Sequence, residues 1–271
     1  MRNVFQLAKA ITAALVISNC FTPKSPLKSN EKKIKLLYFP TWTVDKAAKI
    51  STFIKQEKNQ NSTIALIKYC QIFPPQERPC DTAKTIELIM KIFEHSNVDA
   101  ILFSGDLLNV SNHITANTST NKFLVLGANV LNKRSTRFFW QDYLINKICG
   151  VRIAILGVTF DTLNPTVNYR DPNFVIQKLL PIIKSRSDFQ CLITNTNDTL
   201  DYPFNVILGA PSKNTFWINS FSDNIVYEIS LTFNIENNLS SIVFKQIELD
   251  TIFEDPTISK FKNEIFNNDI K

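Results

Sequence analysis

The side chains of this chain that could take part in chemistry are few, and three carboxylates stand first among them. Asp106 follows a predicted apolar strand, and Asp198 and Asp201 lie together in a later loop. Carboxylate oxygens are the ligands that Mg²⁺ and Ca²⁺ prefer, so these three residues are candidates for a metal site. The alternative is structural: Asp106 as a turn residue that caps the next segment, and "NTNDT" at 195–199 as a solvated turn.

Histidine is scarce, and no nucleophile motif is present. The two histidines are His95, near the end of a predicted helix, and His113, in a polar loop. Neither follows a strand, so a histidine-rich dinuclear metal centre cannot be assembled from them. The sequence also lacks a Gly-x-Ser-x-Gly motif, a P-loop and a dinucleotide fingerprint, and no cysteine has a histidine nearby. The sequence therefore gives no support for a nucleophilic hydrolase or a nucleotide-loop enzyme.

The segment "NVILGAPSK" at 205–213 has the form of a loop that serves an active site. A short apolar strand ends at Gly209, and Pro211, Ser212 and Lys213 follow it. None of these three side chains is a good metal ligand or general base. The segment therefore predicts a loop at a strand end without the groups that would make it reactive.

The elements that must position these residues alternate between helices and strands early in the chain and are mostly strands later. Helical periodicity predicts helices over 44–58, 80–96, 170–186 and 257–267. Asp81 and Asp171 are predicted N-caps, and Pro172 fits a first helical turn. Apolar runs predict strands over 33–39, 62–69, 98–104, 122–130, 137–148, 151–158, 189–195, 204–210, 215–219, 224–233 and 241–249. This order fits a mixed α/β domain with sheets in the middle and helices outside.

Composition indicates a globular protein rather than a disordered one. The 271 residues are 44% hydrophobic and 20% charged, enough for one large domain or two small ones. The net charge is +6 and the isoelectric point is about 9.0. The excess positive charge is spread along the chain without a compact basic and aromatic cluster, so we expect no nucleic-acid partner.

The N-terminal segment "MRNVFQLAKAITAALVISNC" is typical of an export signal. Arg2 and Lys9 precede a short apolar run at 11–17. This run is much shorter than the roughly 18 apolar residues that are needed to span a bilayer. "VISNC" resembles a spirochaete-type bacterial lipoprotein box, which implies that Cys20 is lipidated, with palmitate as an expected acyl chain. The alternatives are an ordinary secretory signal or an uncleaved anchor, with Cys20 incidental.

These features predict three parts: a signal peptide (1–19), the lipidated cysteine and a Pro-, Ser- and Lys-rich tether (20–33), and one domain (34–271). We expect a location in the cell envelope, anchored by lipid to the inner or outer bacterial membrane. Four other cysteines could pair in three ways. Cys70 and Cys80 flank a short loop and are the candidate disulfide, whereas Cys149 and Cys191 lie in apolar segments that favour buried thiols.

The stretch "FLVLGANVLNKRSTRFFWQDYLINKICGVRIAILGVTFDTL" at 123–163 resembles the 5′-nucleotidase family of calcineurin-like metallophosphoesterases. The order of the surrounding segments fits from about residue 33 to 250, and Gly150, Gly157 and Gly209 fall where that family places glycine. The resemblance implies a β-sandwich of two mixed sheets flanked by helices. It also implies a dinuclear metal centre of Asp, Asn and His at strand ends, and in the family a C-terminal substrate domain that this chain is too short to include.

The ligand positions that the resemblance implies have lost their metal-binding side chains. Carried over one by one, they fall on Thr41, Thr43, Gln71, Gly105, Asp106, Asn195, Pro211 and Lys213. Lys213 would also place a positive charge near the position of a cation.

We therefore expect an inactive metallophosphatase-like lipoprotein with a binding or structural role. Its expected partners are the membrane and an unknown protein or anionic ligand, and no cofactor is expected. The alternative is a residual phosphoesterase that uses Mg²⁺, Mn²⁺ or Ca²⁺ at a carboxylate site. A third hypothesis is a basic cleft near Lys68 and Lys213 that binds an anion.

Overall fold

The computed structural model describes residues 31–60, 62–71, 82–102, 104, 122–132, 141–160, 167–219, 222 and 224–267. The predictions for the export signal, Cys20, Cys80, Asp81, Gly105, Asp106 and His113 lie outside these residues.

Strands in the described part of the chain form a six-stranded sheet, a five-stranded sheet and a two-stranded ribbon. They are β1 (Lys32–Thr43), β2 (Thr63–Gln71), β3 (Ala100–Leu102), β4 (Leu124–Leu126), β5 (Val130–Asn132), β6 (Tyr143–Ile148), β7 (Val151–Val158), β8 (Val167–Tyr169), β9 (Phe189–Thr194), β10 (Val206–Leu208), β11 (Phe216–Ile218), β12 (Ile225–Phe233) and β13 (Leu239–Glu248). The sheet orders are β13-β12-β1-β2-β3-β4, β11-β10-β9-β7-β6 and β5-β8.

Both large sheets consist of parallel strands with antiparallel strands added at one side only. In the first, β1 to β4 run parallel, and β12 and β13 add antiparallel strands beside β1. In the second, β7, β9, β10 and β11 run parallel and β6 pairs antiparallel with β7. The parallel strands of one sheet therefore all end at the same edge of that sheet.

Four helices in the described residues cover the outer faces of the sheets: α1 (Ala47–Gln60), α2 (Thr82–His95), α3 (Pro172–Arg186) and α4 (Pro256–Asn267). The predicted cap of α3 is confirmed, because the Asp171 carboxylate accepts a hydrogen bond from the Asn173 amide (2.8 Å) and Pro172 opens the helix. None of the helices that the structure describes is both long and apolar enough to span a bilayer.

The alternation of side chains along β1 shows how the layers pack. Ile34, Leu36 and Tyr38 face the second sheet, whereas Leu37 and Phe39 face α1 and α2. A separate apolar cluster packs α3 on the outer face of the second sheet. The result is a two-sheet sandwich flanked by helices, which confirms the predicted fold class.

The predicted strand at 122–130 is two strands. β4 joins the six-stranded sheet, the chain turns at 128–129, and β5 pairs with β8 in the ribbon. The turn is held because Asn129 bonds across to the backbone of Thr159. Because apolar residues lie on both sides of this turn, the sequence pattern does not indicate it.

The prediction of buried thiols is confirmed for Cys191 and wrong for Cys149, although both are free cysteines. Cys149 is exposed because, with Gly150, it forms the turn between β6 and β7, where both residues have positive φ (51° and 83°). A two-residue turn of this kind projects from the sheet, and its second position favours glycine because of the positive φ. Burial raises the pKa of the Cys191 thiol well above its usual value.

Candidate functional site

The parallel strands of the two sheets end at one side of the sandwich, which we call the carboxyl edge. It comprises the ends of β1 to β4 in one sheet and of β7, β9 and β10 in the other. Two close approaches show that the ends of the two sheets meet. A Cβ built on Gly157 would lie 2.3 Å from Leu126 Cβ, and one built on Gly209 would lie 2.6 Å from Lys68 Cδ. Ends of parallel strands are where α/β folds most often place their sites.

The structure brings most of the predicted positions to this edge. Thr43 and Gln71 are register partners at the ends of β1 and β2, and Thr41 lies two residues before Thr43. Asn195 directly follows β9, and the loop after β10 carries the remaining two described positions, Pro211 and Lys213. The order carried over from the resemblance therefore corresponds to one place in the fold.

Asn195 is used to hold the chain rather than left open to a ligand. Its side-chain oxygen accepts hydrogen bonds from the Phe160 amide (2.7 Å) and the Thr159 hydroxyl (3.2 Å). These bonds tie the segment that follows β7 to the end of β9. Asn195 therefore has a structural role at a position where the resemblance implied histidine.

Replacing Asn195 with alanine should lower the free energy of unfolding by about 1–2 kcal/mol, because the Phe160 amide loses its acceptor. Asn195→Asp keeps an oxygen in the same place and is the matched control. Urea unfolding of both variants measures the difference. Equal losses in the two variants would contradict a role based on hydrogen-bond acceptance.

Asn129, in the turn after β4, holds the same segment that follows β7. Its amide group donates to the Thr159 carbonyl (2.6 Å) and its oxygen accepts from the Thr159 amide (3.0 Å), so it pairs with that backbone as a neighbouring strand would. The side chain is fully buried. Sequence reasoning used the "Ala-Asn-Val" segment only for resemblance and did not identify this role.

Lys68, which the sequence analysis placed with Lys213 in a candidate basic cleft, is a buried charged residue of this edge. Ile64 and Leu66 face the second sheet along β2, and Lys68 takes the next position on that face, with no exposed surface. Its carbonyl accepts a hydrogen bond from the Ser104 hydroxyl (2.5 Å). Burial disfavours the charged ammonium and lowers the pKa of Lys68 from 10.5 to about 8.

Gly209 provides the space that Lys68 needs. Its φ of 94° is in the region that favours glycine, and an added Cβ would lie 1.8 Å from the Thr194 carbonyl oxygen as well as against Lys68. The glycine that ends β10 therefore lets the aliphatic part of a buried lysine pack against the strand ends. Lys213, by contrast, is exposed, so the cation buried at this edge is Lys68.

Three buried oxygens near the strand ends have no hydrogen-bond partner among the described residues: Thr194 Oγ1, Ser212 Oγ and Asn219 Oδ1. Thr194 ends β9, Ser212 lies in the loop after β10, and Asn219 directly follows β11. Buried polar groups are nearly always paired in folded proteins. The carboxyl edge therefore contains buried polar groups that no hydrogen bond within the described residues satisfies.

The carboxylate candidates do not form a site in the described chain. Asp198 and Asp201 are both exposed, and Asp201 accepts a hydrogen bond from Asn214 (2.8 Å). No group of three histidine, cysteine, aspartate or glutamate side chains that could hold a metal occurs within the residues described. The donors at the described family positions, threonine, glutamine, asparagine, proline and lysine, do not fit a dinuclear centre. A site that includes Asp106 stays a prediction.

His95 lies away from the carboxyl edge, as expected. It is the last residue of α2, where its ring packs edge-on against Phe261 and its Nε2 is 3.8 Å from Asp255. Asp255 in turn accepts hydrogen bonds from Ser51 and from the amide of Thr257 at the start of α4. This cluster fixes α4 against α1 and α2.

Comparison with known proteins gives matches in structure but none in sequence, since no family model and no curated protein matches the chain. A 5′-nucleotidase precursor from Thermus thermophilus superposes with a TM-score of 0.63 at 12% identity, over 86% of this chain and 58% of that one. The NAD nucleotidase of Haemophilus influenzae gives 0.65 at 11% identity, over 89% and 61%. A sulfate thiohydrolase from Thermus thermophilus gives 0.61 at 8% identity, over 82% and 46%.

The chain therefore spans between 46% and 61% of the length of these proteins. At such low identities the likeness concerns the fold, and the matched proteins differ in the activities that they are named for, so the fold does not fix a substrate. The chain shares the fold of these solved proteins, a two-sheet sandwich flanked by helices.

Proposed function

We propose that this chain is a membrane-anchored lipoprotein whose metallophosphoesterase-type domain has lost phosphoester hydrolysis and serves in binding or as a structural partner. The observation that carries the proposal is Lys68, a buried cation between the ends of the two sheets. Two unit charges of like sign 4 Å apart near a protein surface repel by about 4 kcal/mol, and a divalent cation would be opposed more strongly.

The neighbouring positions support the same proposal. The side-chain oxygen of Asn195 accepts a hydrogen bond from the Phe160 amide, and Gly209 packs against Lys68. A catalytic metal needs open coordination positions and several oxygen or nitrogen ligands. Side chains that support the backbone, together with a buried ammonium, do not supply such ligands at the described positions.

Binding without hydrolysis is consistent with the polar groups that remain. Ser212 has a buried hydroxyl without a described partner, and the next residue, Lys213, exposes an ammonium group. An anionic ligand or an acidic protein surface is the partner class that this pair would accept. A ligand at 100 times its Kd should stabilise the protein by about 2.7 kcal/mol, which thermal unfolding in the presence of nucleotides and phosphate would detect.

The deciding experiment measures metal content and turnover of the purified chain. With added Mn²⁺, Mg²⁺, Ca²⁺ or Zn²⁺, we expect no stoichiometric metal and no hydrolysis of nucleoside monophosphates or phosphodiesters above the buffer rate. Metal-dependent turnover would overturn the proposal. Loss of that turnover in Asp106→Ala would then favour the residual phosphoesterase over the inactive protein.

The membrane anchor is tested separately by the mass of the chain purified from bacterial membranes. A chain that begins at Cys20 and carries acyl groups is the expected result, and Cys20→Ser should release the protein from the membrane fraction. An unmodified Cys20 would favour the ordinary secretory signal.

A further inference from the structure

The edge strands of the two large sheets differ greatly in length. In the described part of the chain, β13 and β4 are the edges of the six-stranded sheet, and β11 and β6 are those of the five-stranded sheet. β4 and β11 have three residues each and β6 has six, whereas β13 has ten. Most edge strands are kept short because their unpaired amide and carbonyl groups can pair with another chain. β13 is therefore the edge best suited to receive a further strand.

β13 also lacks the features that usually protect a long edge. Proline, a central bulge or a series of charges normally blocks such a strand. β13 has no proline, and its pairing with β12 is continuous over 241–248, with one register shift near its start. Its central residues Val243 and Phe244 are apolar and 61% and 52% exposed, and Lys245 is the first charged residue after them. An open and apolar edge of this kind is typical of a strand that pairs with a partner strand.

The two sheets present their free edges on the same side of the sandwich. The rings of Phe244 in β13 and Phe216 in β11 are in contact, with centroids 5.4 Å apart. Phe244 thus has one side against its own chain and its exposed part toward the free side of β13. A strand paired with β13 would cover this exposed part, which adds apolar burial to the backbone hydrogen bonds.

The pattern of polar and apolar residues in the centre of β13 identifies the partner strand. Ser241 and Lys245 flank the apolar run Ile242, Val243 and Phe244, so the pattern is symmetric about Val243. Two copies of this strand that pair antiparallel about a twofold axis at Val243 place apolar residues opposite apolar ones. Lys245 of each copy then lies opposite Ser241 of the other, and no like charges face each other in this stretch. β13 is therefore complementary to itself.

Hydrogen bonding restricts the other registers. The outward amide and carbonyl groups of an edge strand belong to alternate residues, so the twofold axis of an antiparallel pair of identical strands passes through a residue. An axis at Ile242 would place Val243 opposite Ser241, and an axis at Phe244 would place Val243 opposite Lys245. Both registers oppose an apolar residue to a polar one. The axis at Val243 is the register that the hydrophobic pattern favours.

We propose that the chain forms a homodimer in which the β13 strands of two copies pair antiparallel about a twofold axis at Val243. The six-stranded sheets of the two copies then continue into each other. Because the strands run in opposite directions, the two carboxyl edges face opposite ends of the dimer. This inference does not rest on the loss of hydrolysis or on the lipid anchor.

Cysteine cross-linking of the full chain tests the dimer and its register together. In the proposed pairing the two Cα atoms of residue 243 are about 5 Å apart, within the range of a disulfide. Val243→Cys should therefore give a disulfide-linked dimer on mild oxidation. Lys245→Cys is the matched control on the same strand, because its two copies are four residues out of register, about 14 Å apart and too distant to link.

The wild-type chain, treated in the same way, gives the background from the native cysteines. After this background is subtracted, equal linking of the two variants would overturn the proposed register. Absence of linking at position 243 would overturn the dimer.

Sedimentation equilibrium of the purified full chain tests the dimer without cross-linking. We expect the wild type to have twice the mass of one chain and Val243→Lys, which opposes two like charges at the axis, to be a monomer. Phe253→Lys replaces another exposed apolar residue, 86% exposed and outside β13, and should remain a dimer. Circular dichroism shows whether each variant is folded. A monomeric wild type, a dimeric Val243→Lys, or a complex with a different protein would each overturn the proposal.

Discussion

Gly209→Ala is expected to destabilise the protein by roughly 3 to 5 kcal/mol, the sum of backbone strain and overpacking. The residue has a φ of 94°, and its new methyl group would lie 1.8 Å from the backbone oxygen of Thr194 and 2.6 Å from Lys68. The carbonyl belongs to the last residue of β9, whose register partner is Val158 of β7, so it cannot move without disturbing that pairing. Urea unfolding followed by circular dichroism measures the loss.

Gly150→Ala is the matched control for this prediction. Gly150 also has a positive φ, 83°, but the nearest heavy atom to an added Cβ is the end of the Lys32 side chain at 3.6 Å. The strain alone should then cost about 1–2 kcal/mol. Equal destabilisation of the two variants would show that close approach at the strand ends does not explain the glycine at 209.

Lys68→Met should abolish a rise in stability at alkaline pH. The folded protein lowers the pKa of Lys68 to about 8, whereas in the unfolded chain the amine keeps its usual 10.5. Between these values the unfolded state binds the extra proton, so the free energy of unfolding increases with pH by about 3 kcal/mol across the window. Methionine has a similar shape and no charge, and its variant should lack this increase.

The measurement is urea unfolding from pH 7 to 10.5, with the wild-type curve compared with that of the variant so that other titrating groups cancel. Lys213→Met removes a lysine from the same edge, but an exposed one, and its profile should follow the wild type. Parallel profiles for Lys68→Met and the wild type would mean that Lys68 titrates at its usual pKa in the folded protein.

Much of the fold was accessible from the sequence because apolar periodicity is set by burial. The strand 151–158 coincides with β7, and the helix predicted at 170–186 differs from α3 by two residues at its start. The sandwich itself was implied by the resemblance of the stretch at 123–163 and its neighbours, since periodicity alone does not say which strands pair. β1 extends to Thr43, four residues past the prediction, because its end pairs with β2 through a stretch of mixed polarity.

The candidate site was harder to predict, because its residues act through contacts between distant segments. The identities of the side chains at the positions that the resemblance implies were readable from the sequence, and the structure gathers the described positions at one edge. Lys68 was predicted as part of a basic cleft, but its complete burial was not foreseen, although Ile64 and Leu66 precede it at the alternate positions of the same face. Lysine in an apolar strand is usually taken as an exposed residue, and only the second sheet, with Gly209, shows that it is enclosed.

The pairing of β1 with β12 sets the order in which the molecule can form. Lys32 is the partner of Phe233, about two hundred positions later in the chain. The six-stranded sheet therefore cannot close until nearly all of the sequence has been synthesised, and contacts between such distant segments make folding slow. The sheet therefore forms in two stages: β1 to β4 can pair with one another first, and the antiparallel side is added only after β12 and β13 have been made.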